Sequence, residues 1–303
     1  MAKMKTTGLI SEVERLDRFK RLIVAAMFSD QELTQRFVLK GGNAIDLVFH
    51  VGTRASIDID LSMETAFATE ELEGVRQRLE QSLENVFSPE GYKVFDFTLE
   101  EKPAAVSPEI ARFWGGYSVT FKLIEAAKYQ PGYDVLELMR REAIHFGPKG
   151  KFEIDISKFE YCPAKRSSEI EGRQVFAYTP EMLVCEKLRA ICQQMPEYGP
   201  IVKRTRSGSA RARDFVDIRI LIERFSIELL HRENLHLLRR TFEAKKVPLK
   251  LLRSLARYRD FHRPDFQAVI DSTKPGVILE EFDFYFDHVV TLTQRLLKAL
   301  GDE

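Results

Sequence analysis

Net charge is missing from this chain: Lys+Arg and Asp+Glu each total 46, so the formal charge is zero. That balance removes any global pull toward nucleic acid or an anionic membrane and leaves steering to local patches. Cysteine is scarce, and Cys162, Cys185 and Cys192 form no C-x-x-C pair. A sparse, odd set in 303 residues argues against a disulfide framework and for a reducing compartment. No apolar run approaches the roughly 18 residues that cross a bilayer. The N-terminus MAKMKTTGLISEVERLDRFK lacks an apolar signal core. A cytoplasmic location with no membrane partner is therefore expected. The six histidines (His50, His145, His231, His236, His262, His288) show no metal-ligand spacing, and no G-x-S-x-G, Walker A or H-E-x-x-H occurs. The one tryptophan, Trp114 beside Gly115-Gly116, reads as a packing residue rather than a base-stacking platform. There is no internal repeat and no low-complexity segment.

What is present describes a globular protein, 44% hydrophobic and 30% charged. Apolar spacing predicts a helix from Ser11 to Phe28 and another from Thr69 to Phe87. Alternation predicts strands at Ser56–Leu61, Tyr92–Leu99, Tyr117–Ile124 and Lys151–Ser157. Thr179-Pro180-Glu181 starts a helix with a capping threonine and a proline in the first turn. From Ala210 to Leu300 the pattern is helical, broken at Pro248, Pro264 and Pro275. The expected class is α+β: a mixed sheet with helices over residues 1–165, then an all-helical half over 166–303.

Chemistry concentrates in Leu39-Lys40-Gly41-Gly42-Asn43-Ala44, followed by Arg54-Ala55-Ser56-Ile57-Asp58-Ile59-Asp60-Leu61. Paired glycines ahead of a short helix let backbone approach a ligand, and a helix start offers N–H groups to phosphate oxygens. On a strand, Asp58 and Asp60 point to one side, about 7 Å apart along the chain. They can share hard cations while Ile57, Ile59 and Leu61 face a core. Magnesium, or manganese as the alternative, takes a few carboxylates plus nucleotide phosphates. A Gly-Gly alone is ordinarily a turn, and a D-x-D alone is ordinarily solvated charge; the combination at this spacing points to nucleotide chemistry. A third carboxylate belongs on a neighbouring strand, where Ile154-Asp155-Ile156 supplies Asp155 and Glu153 on the same face is the rival.

Gly-Gly followed by Arg-x-Ser-x-Asp-x-Asp-Leu resembles the DNA polymerase β-like nucleotidyltransferase superfamily. More narrowly, LKGGNAIDLVFHVGTRASIDIDL looks like the AbiEii/AbiGii toxin family of abortive-infection and type IV toxin–antitoxin systems. The likeness is strongest over residues 38–62 and fainter at YTPEMLVCEKLRAI (178–191) and ARARDFVDIRIL (210–221). It implies a bilobed nucleotidyltransferase with its site between the lobes, binding a nucleoside triphosphate with magnesium, and a cognate antitoxin. Some members transfer nucleotides to tRNA. By that resemblance Asp58 and Asp60 hold metal with Asp155 as the third acid, Lys187 contacts the triphosphate, and Asp214 matches the acid of the R-D-x-x-D segment. Asp217 and Arg219 are its neighbours, and Lys40, Gly41, Gly42, Arg54 and Ser56 match the first motif and its flanks. Asn43 stands where serine or threonine is commoner. Its amide can still donate a hydrogen bond to phosphate.

The residues themselves leave other readings open. Asp214 and Asp217 share a helix face, yet with Arg211 and Arg213 they could form an exposed charged helix. Glu186-Lys187 would ordinarily be surface charge. Two basic clusters, Lys203 to Arg213 and Arg239 to Arg259, offer a path for an RNA acceptor such as tRNA. The rival functions are a nucleotidyltransferase for a small molecule or protein, and a nucleotide-binding module without catalysis.

Overall fold

The structure, a computed structural model, describes residues 12–53, 58–132, 135–145 and 150–301. Arg54 and Ser56, and Ile57 with them, lie outside the described residues. The chain runs α1 (Glu12–Met27), α2 (Gln31–Arg36), β1 (Val38–Lys40) and α3 (Gly41–Asn43), which continues as a π-helical turn (Ala44–Val48). Then come β2 (Ile59–Ser62), α4 (Leu72–Phe87), β3 (Tyr92–Lys102), α5 (Pro108–Ala111), β4 (Gly116–Glu125), α6 (Leu136–Glu142) and β5 (Phe152–Ser157). A hairpin, β6 (Arg166–Ile170) and β7 (Arg173–Ala177), leads to α7 (Pro180–Gln194). The C-terminal helices are α8 (Ala212–Phe225), α9 (Arg232–Ala244), α10 (Arg259–His262), α11 (Phe266–Asp271) and α12 (Phe282–Leu300).

The strands form one mixed sheet in the order β3-β4-β5-β2-β1-β7-β6. β2 runs parallel to β5 and antiparallel to β1, and β7 is parallel to β1. The class is the expected α+β, but the sheet extends past residue 165, where the sequence pattern places the start of the helical half. The β6–β7 hairpin responsible turns at Glu171 (φ 51°) and Gly172 (φ 69°). Two successive positive φ angles mark a turn whose twist suits adjacent antiparallel strands. Arg166-Ser-Ser-Glu-Ile is mostly exposed, so it carries little of the apolar alternation by which strands are recognised.

Alternation along β5 sets the two faces of the sheet. Phe152, Ile154 and Ile156 are buried while Glu153, Asp155 and Ser157 point the other way, half-exposed. On the buried face α1 packs on α4, and Phe87 of α4 meets Phe19 of α1 edge-on at 5.5 Å. Phe121 of β4 stacks on Phe152 at 5.2 Å. These rings contribute the large apolar burial that fixes the register. The opposite face carries the acids.

The second layer begins where β7 ends. Because β7 lies beside β1, Tyr178 N–H donates to Leu39 O (2.9 Å) and Tyr178 Oη donates to Ser62 Oγ (2.9 Å). Thr179 then caps α7 by accepting from Met182 N–H (3.3 Å), with Pro180 at the first helical position as expected. α7 is buried along most of its length and packs on α8 and α9, while α12 closes over α8. A central helix held on several sides carries its polar side chains into the interior. No helix among the described residues is long and apolar enough to cross a membrane.

Candidate active site

β1 ends at Lys40, and Gly41 follows with φ +66°. A Cβ on Gly41 would lie 2.5 Å from Asp60 Oδ2, so both the backbone angle and the space require glycine. The β1–β2 register brings this about, since Lys40 and Asp60 are Cα partners. On the other side of β2, Asp60 is the partner of Asp155. The two residues thus stand side by side on adjacent parallel strands, their backbones roughly 4.8 Å apart by strand spacing. Asp58 precedes β2 and is exposed. Its carbonyl accepts from Asn43 Nδ2 at 2.6 Å, and Asn43 is fully buried. The Asn43 amide, expected on a phosphate, is spent on holding this turn.

Asp58, Asp60 and Asp155 line one cavity of about 570 Å³, together with Lys40, Gly41 and Gly42. That volume suits a nucleotide-sized ligand. Glu153 does not line it, and Asp155 rather than Glu153 is the strand partner of Asp60. Burial pushes the Asp60 carboxyl up to about 6, with Glu186 and Asp155 adding to the rise while Lys40 and Arg213 oppose it. Lys102 Nζ bridges Asp155 Oδ1 (2.8 Å) and Glu153 Oε1 (3.2 Å). Among the described residues no three acid, histidine or cysteine side chains converge as a metal cage. The acids present suit magnesium nonetheless. That ion keeps water and phosphate ligands around one or two carboxylates, and an anion pair half out of water gains by having a cation.

The helical side of the cavity is a wall of cations. Lys187 on α7 is 3% exposed and donates to Asp214 Oδ1 (3.0 Å) and Asp217 Oδ2 (2.7 Å) on α8. Burial works against its charge, but the two aspartates raise its pKa. Asp214 is buried too, yet Arg211 and Lys187 hold its carboxyl well below the ordinary range. The Asp214–Asp217 spacing does put both acids on one face, and that face is buried rather than solvated like an exposed charged helix. Lys187, Arg211, Arg213 and Asp214 line the cavity, whereas Asp217 lies behind Lys187. Arg219 is elsewhere: it pairs with Glu223, meets His288 Nδ1 at 2.7 Å and covers the Phe284 ring.

A second network joins the two sides. Glu160, 6% exposed, meets Arg189 (3.1 Å), Lys245 (3.5 Å) and Lys40 (3.5 Å). Burial alone would raise the Glu160 carboxyl, and those three cations bring it down to about 2. Lys245 is pushed down to about 8 by the same burial, with Glu160 resisting. Glu160, Arg189 and Lys245 all line the cavity, as does Lys102. Glu160, Arg189 and Lys102 do not stand out as site residues in the sequence, and Lys245 does so only as one member of a basic cluster. Glu160 sits in Lys-Phe-Glu-Tyr with no periodic signal, and only the fold brings its partners to it.

The basic clusters accordingly divide. Arg204 donates to the carbonyls of Gln193 (2.9 Å), Gln194 (3.2 Å) and Met195 (3.3 Å), capping the end of α7. Lys245 is interior. Arg206, Lys246, Lys250 and Arg257 are exposed. The surface track for a polyanion is therefore shorter than the sequence suggests.

One family model, nucleotidyl transferase AbiEii toxin of type IV toxin–antitoxin systems, matches residues 22–288. The chain belongs to the AbiEii nucleotidyltransferase toxin family. As an AbiEii protein it is a nucleotidyltransferase, with a nucleotide substrate and an antitoxin partner implied by the toxin–antitoxin system. JHP933 from Helicobacter pylori aligns at 16% identity and a TM-score of 0.47, covering 97% of this chain and 95% of that one. A nucleotidyltransferase from H. pylori aligns at 15% identity and 0.46, covering 96% and 97%. A nucleotidyltransferase-like protein from Paracoccidioides brasiliensis aligns at 13% identity and 0.39, covering 84% and 94%. No curated protein matches the AbiEii chain.

Proposed function

We propose that this AbiEii protein is a magnesium-dependent nucleotidyltransferase that moves a nucleotide from a nucleoside triphosphate onto RNA, tRNA being the acceptor class of first choice. The observation that supports this most is the meeting of Asp60 and Asp155 in strand register, with the glycine backbone against Asp60 and a cationic wall opposite. Asp58, Asp60 and Asp155 would supply the negative charge that holds the metal, no more than two of them binding it directly, and manganese could replace magnesium there. Bound there, the metal would neutralise triphosphate charge and activate the attacking hydroxyl.

The residues of the chain do the remaining work. Gly41 and Gly42 let backbone come close to the triphosphate. Arg211, Arg213 and Lys187 place positive charge where charge grows on the transferring phosphoryl group. That charge is preorganised, because Asp214 fixes Lys187 and Arg211 before substrate arrives. Exposed Arg206, Lys246 and Lys250 lie on the helical half and give the acceptor backbone its contacts.

A second reading, transfer to a small molecule or protein, draws support from Arg204 and Lys245, two clustered cations that the fold uses internally. Incubating the full chain with magnesium, each radiolabelled triphosphate and total RNA tests both readings. Label appearing on RNA, and lost with Asp60→Asn, supports the first reading. Turnover of the triphosphate without label on RNA would discard it.

A further inference from the structure

Phosphate chemistry accounts for the acids and cations of the cavity but leaves its aromatic lining without a role. Among the described residues that line it, only Trp114 and Tyr117 are aromatic. Tyr117 is 1% exposed, its hydroxyl accepts from Phe67 N–H (3.0 Å), and Lys158 Nζ lies 4.8 Å from its ring centroid. Its face is taken. Trp114 is only partly buried.

Trp114 is also held firmly. Its backbone N–H donates to Ile110 O (2.9 Å), and the next residue, Gly115, accepts from Lys158 N–H (3.0 Å). The indole is braced by Tyr198 at 6.1 Å, a fully buried ring whose hydroxyl donates to Lys245 O (2.7 Å). Lys245 Nζ sits 5.9 Å from the indole centroid. The brace gives rigidity without occupying all of the indole surface.

Its position along the sheet fits a nucleoside. Gly115 lies beside Lys158, three residues from Asp155, which places it roughly 10 Å along the strand from the carboxylates. A nucleotide with its α-phosphate at Asp60 and Asp155 puts its base about one ribose away, and Trp114 is the partly exposed aromatic of the cavity lining at about that separation. Bases stack well on aromatic faces whatever their sequence identity.

We infer that Trp114 is the platform on which the nucleobase of the incoming triphosphate stacks. This rests on the nucleotidyltransferase reading and adds to it the group that holds the base. Trp114 does pack against the core as expected, and the inference gives it a second role.

Because the chain contains a single tryptophan, all of its indole fluorescence comes from this residue. The full-length protein with magnesium should be titrated with each nucleoside triphosphate, with inorganic tripolyphosphate, and with a short RNA ending in unpaired bases. Fluorescence and calorimetry are read together. Triphosphates should change the emission saturably, while tripolyphosphate binds without that change. Trp114→Phe should keep triphosphate affinity within about threefold, and Trp114→Ala should lose about tenfold or more with tripolyphosphate affinity unaltered. Melting curves on both variants establish that they are folded, and Trp114→Phe carries the test if the alanine variant is not. Equal fluorescence changes with tripolyphosphate and triphosphate would overturn the inference. Emission that responds only to the RNA would overturn it in favour of an acceptor base. Calorimetric binding of triphosphate with no emission change would refute the platform alone. No binding of any triphosphate would bring down the nucleotidyltransferase reading together with it.

Discussion

Gly41 lies so close to Asp60 that a Cβ on it would come within 2.5 Å of Asp60 Oδ2. At φ +66° a side chain would also be strained. Gly41→Ala should therefore move Asp60 from its position beside Asp155. A displacement of about 1 Å at a reacting centre costs on the order of 100-fold in rate. Steady-state transfer assays should show that loss in kcat, with folding stability lowered by no more than about 1–3 kcal/mol of backbone strain. Unchanged kcat would separate the glycine loop from catalysis.

Asp60 carries its charge at a cost, because burial and the nearby Asp155 and Glu186 favour its neutral form. Asp60→Asn and Asp155→Asn are each expected to reduce nucleotide transfer by at least about 1,000-fold, through loss of charge stabilisation worth several kcal/mol. Without metal, Asp60→Asn should melt at or above the parent temperature, since the amide keeps the shape and removes the repulsion. A large fall in melting temperature would instead make Asp60 a structural acid.

Lys187 is enclosed by Asp214 and Asp217, so its substitution strikes the fold before it strikes ligand binding. Lys187→Ala should leave two buried carboxylates short of a partner and cost about 3–5 kcal/mol in urea unfolding. Adding Asp217→Asn to Lys187→Ala should restore part of that stability, because one uncompensated charge goes with it. Little destabilisation in the single variant would mean that Lys187 is free to serve the triphosphate alone.

His262 links stability to pH. It is 1% exposed, its Nδ1 accepts from Arg211 N–H (3.1 Å), and burial pushes its pKa down to about 4 from 6.5. The folded protein binds the proton less readily than the unfolded chain does. The contribution is therefore complete above pH 6.5 and is lost as pH falls from 6.5 through 4. The loss should reach about 3 kcal/mol at most, the product of the shift and the free energy per pKa unit. Urea midpoints of the parent and of His262→Phe, compared at about pH 7.5, 5.5 and 4.5, isolate it from the other titrating groups. Parallel pH curves would remove the assignment.

Arg206, Lys246 and Lys250 are among the exposed members of the basic clusters. Reversing these charges should weaken tRNA binding and lower the slope of log K against log salt by about one for each phosphate no longer neutralised. Arg204→Ala should act differently, destabilising the end of α7 without a comparable change in that slope. Gel-shift titrations at several salt concentrations, beside melting curves, discriminate the two effects. A triple reversal that binds tRNA as the parent does would favour a small acceptor.

Much of this is legible in the chain itself. Short-range pattern is enough for α1, α4, β4 and β5, because a helix or strand with one buried face repeats its apolar residues at its own period. The start of α7 is equally plain, since Thr179 and Pro180 act on the first turn next to them. Gly41, Asp58, Asp60 and Asp155 stand out for the same reason. Their chemistry lies in residue type and close spacing, and the alternation of β5 already points Asp155 away from the apolar core.

Other features are decided only by which elements become neighbours. The β6–β7 hairpin is half in water and lacks a strong period, so its place beside β1 depends on pairing rather than pattern. Asp155 is distinguished from Glu153 by register, since β2 sets Asp60 against Asp155 and the cavity passes Glu153 by. Charge is the sharpest case. In the sequence Arg204, Arg206, Lys245 and Lys246 are equivalent cations, but folding places Lys245 beside Glu160 and Arg204 on the carbonyls ending α7, leaving Arg206 and Lys246 in water. A local pattern records what a side chain can do, whereas dielectric and partner come from residues far away in the chain, and for a charged group those two determine whether it is structure, site or surface.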